Sequence, residues 1–370
     1  MDSSNELYLK HFNRITNAIE LGTPDRVPVI LAADSFHARH MGVSLADYIN
    51  DLEAASRTNI ASMAQLGEVD GVEYLAPIIW GLGMASMSKL KLPGRELPID
   101  AQWQIDEITP MKIEDYDVII DKGFNAWAQP IFQSELKQSW DDFLWYRSAD
   151  WPKIKENYKN AGIVPVSPAT TAPPFDRLSN ARGMANLVKD MYRIPDKVEA
   201  VIKIMTEEMK ETIKTTIAQT KPFAYFIGAT RSAPEYMSKK MWERFCFPNI
   251  KEIVETVVNA GSYPLLHWDN NWDRSLEYLK ELPKGKCILA TDSNTDLFEA
   301  KEVLGDHMCL MGDLPAAILT LGTPEEVYDY SCKLVNNLGP KGFILAVGCC
   351  VPLNAKVENM KAMISAATGR

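Results

Sequence analysis

The feature that most constrains this chain is an alternation. Short apolar runs at 27–33, 70–77, 162–167, 222–228, 263–267, 286–292, 307–313 and 343–347 are each followed by a stretch with helical spacing of its apolar residues. Strands that are apolar on both faces belong in a parallel sheet covered by helices. Eight of them favour a closed (β/α)8 TIM barrel over a doubly wound sheet, and one barrel domain over 1–370 accommodates the length. No GxGxxG follows the first run and no GxxxxGK[ST] occurs, so neither a Rossmann site nor a P-loop is expected.

Before the first run, 4–21 reads as an N-terminal helix ending at Gly22, and 44–66 reads as the next helix. Residues 88–107, with Lys-Leu alternation and Pro93-Gly94, read as a β-hairpin excursion near the barrel mouth. It opens an insertion of about 81–160 that covers the mouth, with helical segments around 113–120 and 125–157. Thr323-Pro-Glu-Glu326 is a capping box with Pro at the first helical position, and that helix stops at Gly339-Pro340.

With 370 residues, 46% of them apolar and 24% charged, the composition is that of an ordinary globular protein. The net charge of -10 and the lack of a Lys/Arg stripe argue against nucleic acid. No window is apolar enough for a membrane span and the first residues lack a signal-peptide pattern, so a cytoplasmic protein is expected. A homodimer is compatible with the sequence. The 6 cysteines lack a disulfide-framework spacing, which favours reduced thiols or metal ligands.

In a barrel the chemistry sits at the C-terminal ends of the strands. Two of the apolar runs stop there at metal-type donors: His267 and Asp269 after 263–266, and Cys349 after 343–347. A borderline nitrogen and a thiol at equivalent ends of parallel strands suggest a zinc site, with Asp269 or Cys309 completing it. Asp34, Glu235, Asp292 and Asp313 are the carboxyls placed to bind ring hydroxyls or to give and take protons. Phe36, His37, Tyr74, Trp80, Phe175, Tyr225 and Trp268 are candidates for a substrate wall, although aromatic residues at such positions are more often core.

Several phrases carry a family resemblance: Leu310-Met-Gly-Asp-Leu-Pro315, Leu321-Gly-Thr-Pro-Glu-Glu326, Gly342-Phe-Ile-Leu-Ala-Val-Gly-Cys-Cys-Val-Pro352 and Glu358-Asn-Met-Lys-Ala-Met363. They resemble the C-terminal signature of the uroporphyrinogen decarboxylase superfamily, which implies a (β/α)8 barrel. Two activities are implied with it, porphyrinogen decarboxylation and zinc-dependent methyl transfer to or from a corrinoid. Decarboxylases of the family carry an Arg-rich stretch after the first strand, where this chain has only Arg39. Methyltransferase members hold zinc on a His-x-Cys pair and a later Cys, which matches His267 and Cys349 but meets Asp269 at the second position.

The stretches 267–287 and 301–309 resemble, more narrowly, the substrate-side methyltransferases of anaerobic O-demethylase systems. The resemblance implies a methoxylated aromatic methyl donor and cobalamin carried by a partner corrinoid protein. A ligand pattern of acid, Cys and Cys in some of these proteins is matched in spacing by Glu281, Cys309 and Cys349, but Glu281 precedes a strand and is expected at the bottom of the barrel. The chain has no Asp-x-His-x-x-Gly segment of the kind that anchors cobalamin's lower ligand. The alternatives are a decarboxylase-like enzyme acting on a tetrapyrrole, and a methylcobalamin:thiol methyltransferase.

Overall fold

Each apolar run becomes a strand because both of its pleats are buried. In the computed structural model, which describes residues 3–369, the strands are β1 Ile30–Leu31, β2 Gly71–Val72, β3 Lys89–Lys91, β4 Gln104–Asp106, β5 Val164–Pro165, β6 Ala169–Thr171, β7 Ala224–Ala229, β8 Tyr263–Trp268, β9 Ile288–Thr291, β10 Cys309–Leu314 and β11 Phe343–Val347. β1, β2 and β5 form one parallel sheet, and β6 to β11 form a second in sequential order.

Hydrogen bonds join the two sheets at both seams. Val166 donates its N–H to Val72 and accepts from Ala224 at 2.7 Å, so β5 and β6 are one strand interrupted at Pro168, which has no N–H to give the ladder. At the other seam the Leu345 N–H reaches Pro28 O at 2.9 Å and the Val351 N–H reaches Ala32 O at 2.8 Å. The result is a ring of eight parallel strands, the expected TIM barrel.

Successive side chains on a strand point to opposite faces. Ile30, Val166, Ala224, Leu265, Ala290, Met311 and Ala346 fill the barrel interior together with Ile15, Ala18 and Ile19 of the N-terminal helix Ser3–Ile19, which plugs the bottom. Their neighbours Leu31, Tyr225, Leu266, Trp268, Leu310 and Leu345 face the surrounding helices. Full burial of one such Leu contributes roughly 1.5–3 kcal/mol.

The hairpin excursion is present as β3 paired antiparallel with β4, Leu90 opposite Ile105. The expected helix over 44–66 is instead two helices, Leu45–Asn50 and Leu52–Leu66, because Asp51 turns extended and its side chain caps the second by accepting from the Ala54 N–H. The Thr323 capping box forms as expected at the head of Pro324–Leu338. No helix among the described residues is long and apolar enough to cross a membrane.

Candidate active site at the barrel mouth

β8 sets the site. Leu265 faces the interior, so two residues on His267 faces it too, and Asp269 follows just beyond the strand end. Cys349 approaches from β11 over Gly348, where a Cβ would meet Ser293 Oγ at 2.6 Å; only a glycine lets this turn lie against the loop after β9. One ligand-type atom from each of His267, Asp269 and Cys349 lies within 4.8 Å of the others. His267 Nε2 stands 3.6 Å from Asp269 Oδ1. Tetrahedral zinc with bonds of about 2.0–2.3 Å has donor-to-donor edges of about 3.3–3.8 Å, a range that includes the His267–Asp269 separation. Cys349 is exposed and His267 almost wholly buried, so the donors line the floor of an open site.

Asp269 is held from behind. Its Oδ2 accepts from Thr230 Oγ1 at 3.0 Å, which leaves Oδ1 toward His267. Thr230 is pinned in turn by Asp176, a buried carboxyl that accepts the N–H groups of Thr230 and Arg231 at 2.8 and 2.6 Å. Asp292 accepts from the Asn270 N–H at 2.9 Å and fixes the same turn from the other side. Gly228 pairs with His267 in the ladder, and the Phe226 ring occupies the space a side chain there would fill. That ring stacks on the His267 imidazole at 5.2 Å between centroids and 24° between planes.

Four carboxyls around this floor feel burial without a Lys or Arg to relieve it. Burial pushes Asp34 up to about 7, against the Ile78 N–H and the Tyr48 hydroxyl that hold it down. Burial also raises Glu73, opposed only by His267, and Asp269, opposed by His267 and Thr230. Asp313 is pushed up to about 7 by burial, although the Tyr330 hydroxyl donates to it at 3.3 Å. Burial alone would depress the His267 imidazole, but Cys349, Glu73 and Asp269 outweigh it and hold His267 up at about 9.

The expected wall is only partly here. Tyr74 lies beside Glu73, Cys349, Cys350 and Asp34. Tyr225 and Trp268 occupy the opposite pleat: Tyr225 turns to Thr216 on the helix Pro195–Thr220, and Trp268 stacks on Trp272 at 4.2 Å, so neither walls the mouth. Trp80 donates its indole N–H to Ile49 O and packs against Trp145, while Phe175 is fully buried core. Phe36 lies between His37 and His40, and His37 Nδ1 is bonded to Ser62 Oγ at 2.8 Å on the helix Leu52–Leu66. Glu235 is exposed in the turn Pro234–Tyr236.

Cys309 corrects the sequence expectation. It opens β10, fully buried among Ile288, Ile344 and Leu265 in the barrel interior, and it stands outside the cluster of donors because it enters at the bottom end of its strand. Sequence reasoning missed Glu73, Phe226 and Asp176. Counting in twos from Gly71, whose Cβ position faces Val166 and Ile15, and from Ala224 would have placed Glu73 and Phe226 in the interior. Asp176 left no local signal.

A second group of donors, His11, Glu68 and Asp70, lies at the opposite end of the barrel. There Arg14 donates to Asp70 and Arg26 donates to Asp70 at 2.7 Å and Glu68 at 2.9 Å, so guanidinium groups occupy the positions an ion would need.

A profile of the uroporphyrinogen decarboxylase (URO-D) family matches residues 157–369. Among curated proteins, the uroporphyrinogen decarboxylase of Geobacter sulfurreducens is 25% identical over 211 residues, which is 55% of this chain and 60% of that protein. That of Coxiella burnetii is 24% identical over 180 residues, 48% of each. The chain thus spans about half to three fifths of the length of the curated relatives it matches. Among solved structures, a methyltransferase from Methanosarcina mazei superposes over 96% of this chain and 97% of its own with a TM-score of 0.67, at 16% identity, a likeness of fold. With its matched profile lying over the strands that carry His267 and Cys349, the chain belongs to the uroporphyrinogen decarboxylase family.

Proposed function

We propose that this chain is a zinc-dependent methyltransferase that moves a methyl group from a methoxylated aromatic compound to cob(I)alamin on a separate corrinoid protein. The observation that carries this reading is the convergence of His267, Asp269 and Cys349 at the C-terminal mouth of the barrel. An imidazole, a carboxylate and a thiolate suit zinc and leave a stronger Lewis acid than a thiolate-rich set would, which fits an ether oxygen better than a thiol. Bound there, zinc would supply Lewis acidity at that oxygen, easing departure of a phenolate.

The chain's own residues do the rest. Thr230 and Asp292 hold the Asp269 turn in place, and Phe226 gives an apolar ring face beside His267. Asp34 and Asp313, both raised to about 7, each keep a proton within reach of neutral pH and can pass it to a departing phenolate from a carboxyl oxygen. The cobalamin is read as arriving on a partner protein, with the loops at 78–107 and 168–180 forming the rim it meets.

The relatives' names favour decarboxylation of a porphyrinogen, a substrate bearing eight carboxylates. Against it, Arg39 is the sole Lys or Arg on the helix Ser35–His40 that follows β1, and it is exposed. Arg231, in the loop after β7, is already committed to Glu107 at 2.6 Å.

The test has two parts. Metal analysis of the purified protein should give one zinc per chain, lost in His267→Ala and in Cys349→Ala. In the presence of a corrinoid protein, a methoxylated phenol should convert cob(I)alamin to methylcobalamin, followed in the visible spectrum. Full zinc in both variants, or conversion of uroporphyrinogen with no methyl transfer, would overturn this reading.

A further inference from the structure

The mouth is acidic in an unusual way: its carboxyls are wholly or partly buried and no Lys or Arg pairs with them. Glu73 is 2% exposed and its Oε2 has no hydrogen-bond partner; Asp34 is 2% exposed and its Oδ1 has none. Glu73 faces the interior from the end of β2, toward His267. The groups that feel the Asp34 charge include Tyr48, Tyr74, Tyr146 and Tyr158, which carry hydroxyls and no charge. Asp269 and Asp313 have Asp292 as a charged neighbour, another acid.

Zinc does not change the balance. Its two positive charges are offset by the Asp269 carboxylate and the Cys349 thiolate, and His267 would bind as a neutral imidazole. Glu73 and Asp34 then remain, and neither, ionised or protonated, offers the positive charge that a desolvated carboxylate requires. A buried acceptor without a donor does, however, suit a hydroxyl or a cationic group.

We propose that Glu73 and Asp34 make the mouth selective for a methyl donor bearing no negative charge, a methoxyphenol or a cationic methoxyaryl compound, and exclude methoxybenzoates. The inference rests on the mouth being the donor site. A hydroxyl brought to Glu73 Oε2 finds an acceptor there, whereas a carboxylate finds no cation and, where Glu73 is ionised, meets like charge in a dry setting. Like charges brought together across an interface cost enough to weaken binding at least about tenfold.

The experiment titrates three ligands of one shape into the zinc-loaded protein by calorimetry: 3-methoxyphenol, 3-methoxybenzoate and 3-methoxyphenyltrimethylammonium. The neutral and cationic ligands should bind at least about tenfold more tightly than the anion, and Glu73→Gln should narrow that gap to within about threefold. Asp34→Asn should narrow it by less. Equal binding of the anion, no binding of any of the three, or a gap untouched in folded Glu73→Gln would overturn the proposal. Should that variant not fold, the wild-type protein still decides, because equal binding of the anion overturns the proposal without it. If the preference appears while none of the ligands methylates cob(I)alamin, charge selection stands and the methyl-transfer reading falls.

Discussion

At the bottom of the barrel His11, Glu68 and Asp70 stand together much as His267, Asp269 and Cys349 do at the mouth. What surrounds them differs. Below, Arg14 binds Asp25 at 2.6 and 2.7 Å as well as Asp70, and Arg26 spans Glu68 and Asp70. Glu68 is held down at about 2: burial would raise it, but Arg26 and His11 outweigh that, and Asp25 is held down at about 2 by Arg14. Above, no guanidinium stands against Glu73, Asp34 or Asp313, and burial drives all three up. The same residue types therefore serve as a closed ion network at one end and as open valences at the other. A cluster of donors becomes a metal candidate only when nothing else in the fold has satisfied it.

The largest expected effect lies at the closed end. Asp70 is fully buried, and accepts from Arg14, from Arg26 and from the Val29 N–H at 2.8 Å. Asp70→Ala removes the buried acceptor shared by Arg14, Arg26 and the Val29 N–H, and should cost about 3–5 kcal/mol in urea unfolding, with the zinc proposed for the mouth unaffected while the protein is folded. The pH dependence has a definite sign. Because Glu68 and Asp25 have depressed values in the folded state, the stability they contribute is present above about pH 4 and is lost as pH falls toward about 2. An Asp70→Ala protein as stable as the parent would remove the contrast between the two ends.

At the open end the sign reverses. Asp34 is raised from 3.8 to about 7, so between those values the folded protein holds a proton that the unfolded chain has released. Stability then falls as pH climbs from about 4 to about 7, by up to about 4 kcal/mol for this group. Asp34→Asn keeps the acceptor for the Ile78 N–H, which reaches Asp34 Oδ2 at 3.2 Å, and removes the charge. The variant should be more stable than the parent at pH 8 and nearly equal to it at pH 4, measured by urea unfolding at both. A loss of stability at pH 8 would mean that the mouth holds a cationic partner for Asp34 after all.

The strands and the helices between them were legible because burial on both pleats leaves an apolar run, which a sequence displays directly. The donors at the mouth were legible for the same reason: His267 and Cys349 interrupt such runs at their ends. The direction of each side chain was not read, although the period of two holds it. Trp268 is one residue from His267 and so faces the helices, whereas Phe226 and Glu73 share the interior with it. Height along the barrel was harder. Cys309 and Asp313 share β10, yet only the pairing of Cys309 with Ile288 and of Asp313 with Ala346 shows that one is at the bottom and the other at the mouth. Asp176 acts across 54 residues of chain on the Thr230 N–H, a relation that only the folded structure expresses.

Spacing and space also give different ligand sets, and the smallest predicted effect separates them. Glu281, Cys309 and Cys349 match a spacing pattern, but Glu281 closes the 3-10 helix Asp273–Glu281 and binds Lys251 Nζ at 2.8 Å on the helix Phe247–Asn259. Its side chain is 51% exposed and that of Lys251 33%, so water screens the pair and competes for both groups. Such a pair contributes about 0–1 kcal/mol. Glu281→Ala should therefore shift the unfolding midpoint barely at all and leave zinc content intact, whereas Asp269→Ala should lower zinc affinity without disturbing the barrel. Zinc titration with a chromophoric chelator distinguishes the two. If Glu281→Ala releases zinc and Asp269→Ala retains it, the donors at the mouth are not the site, and a displacement of strands far larger than any loop movement would be needed to bring Glu281 to Cys349.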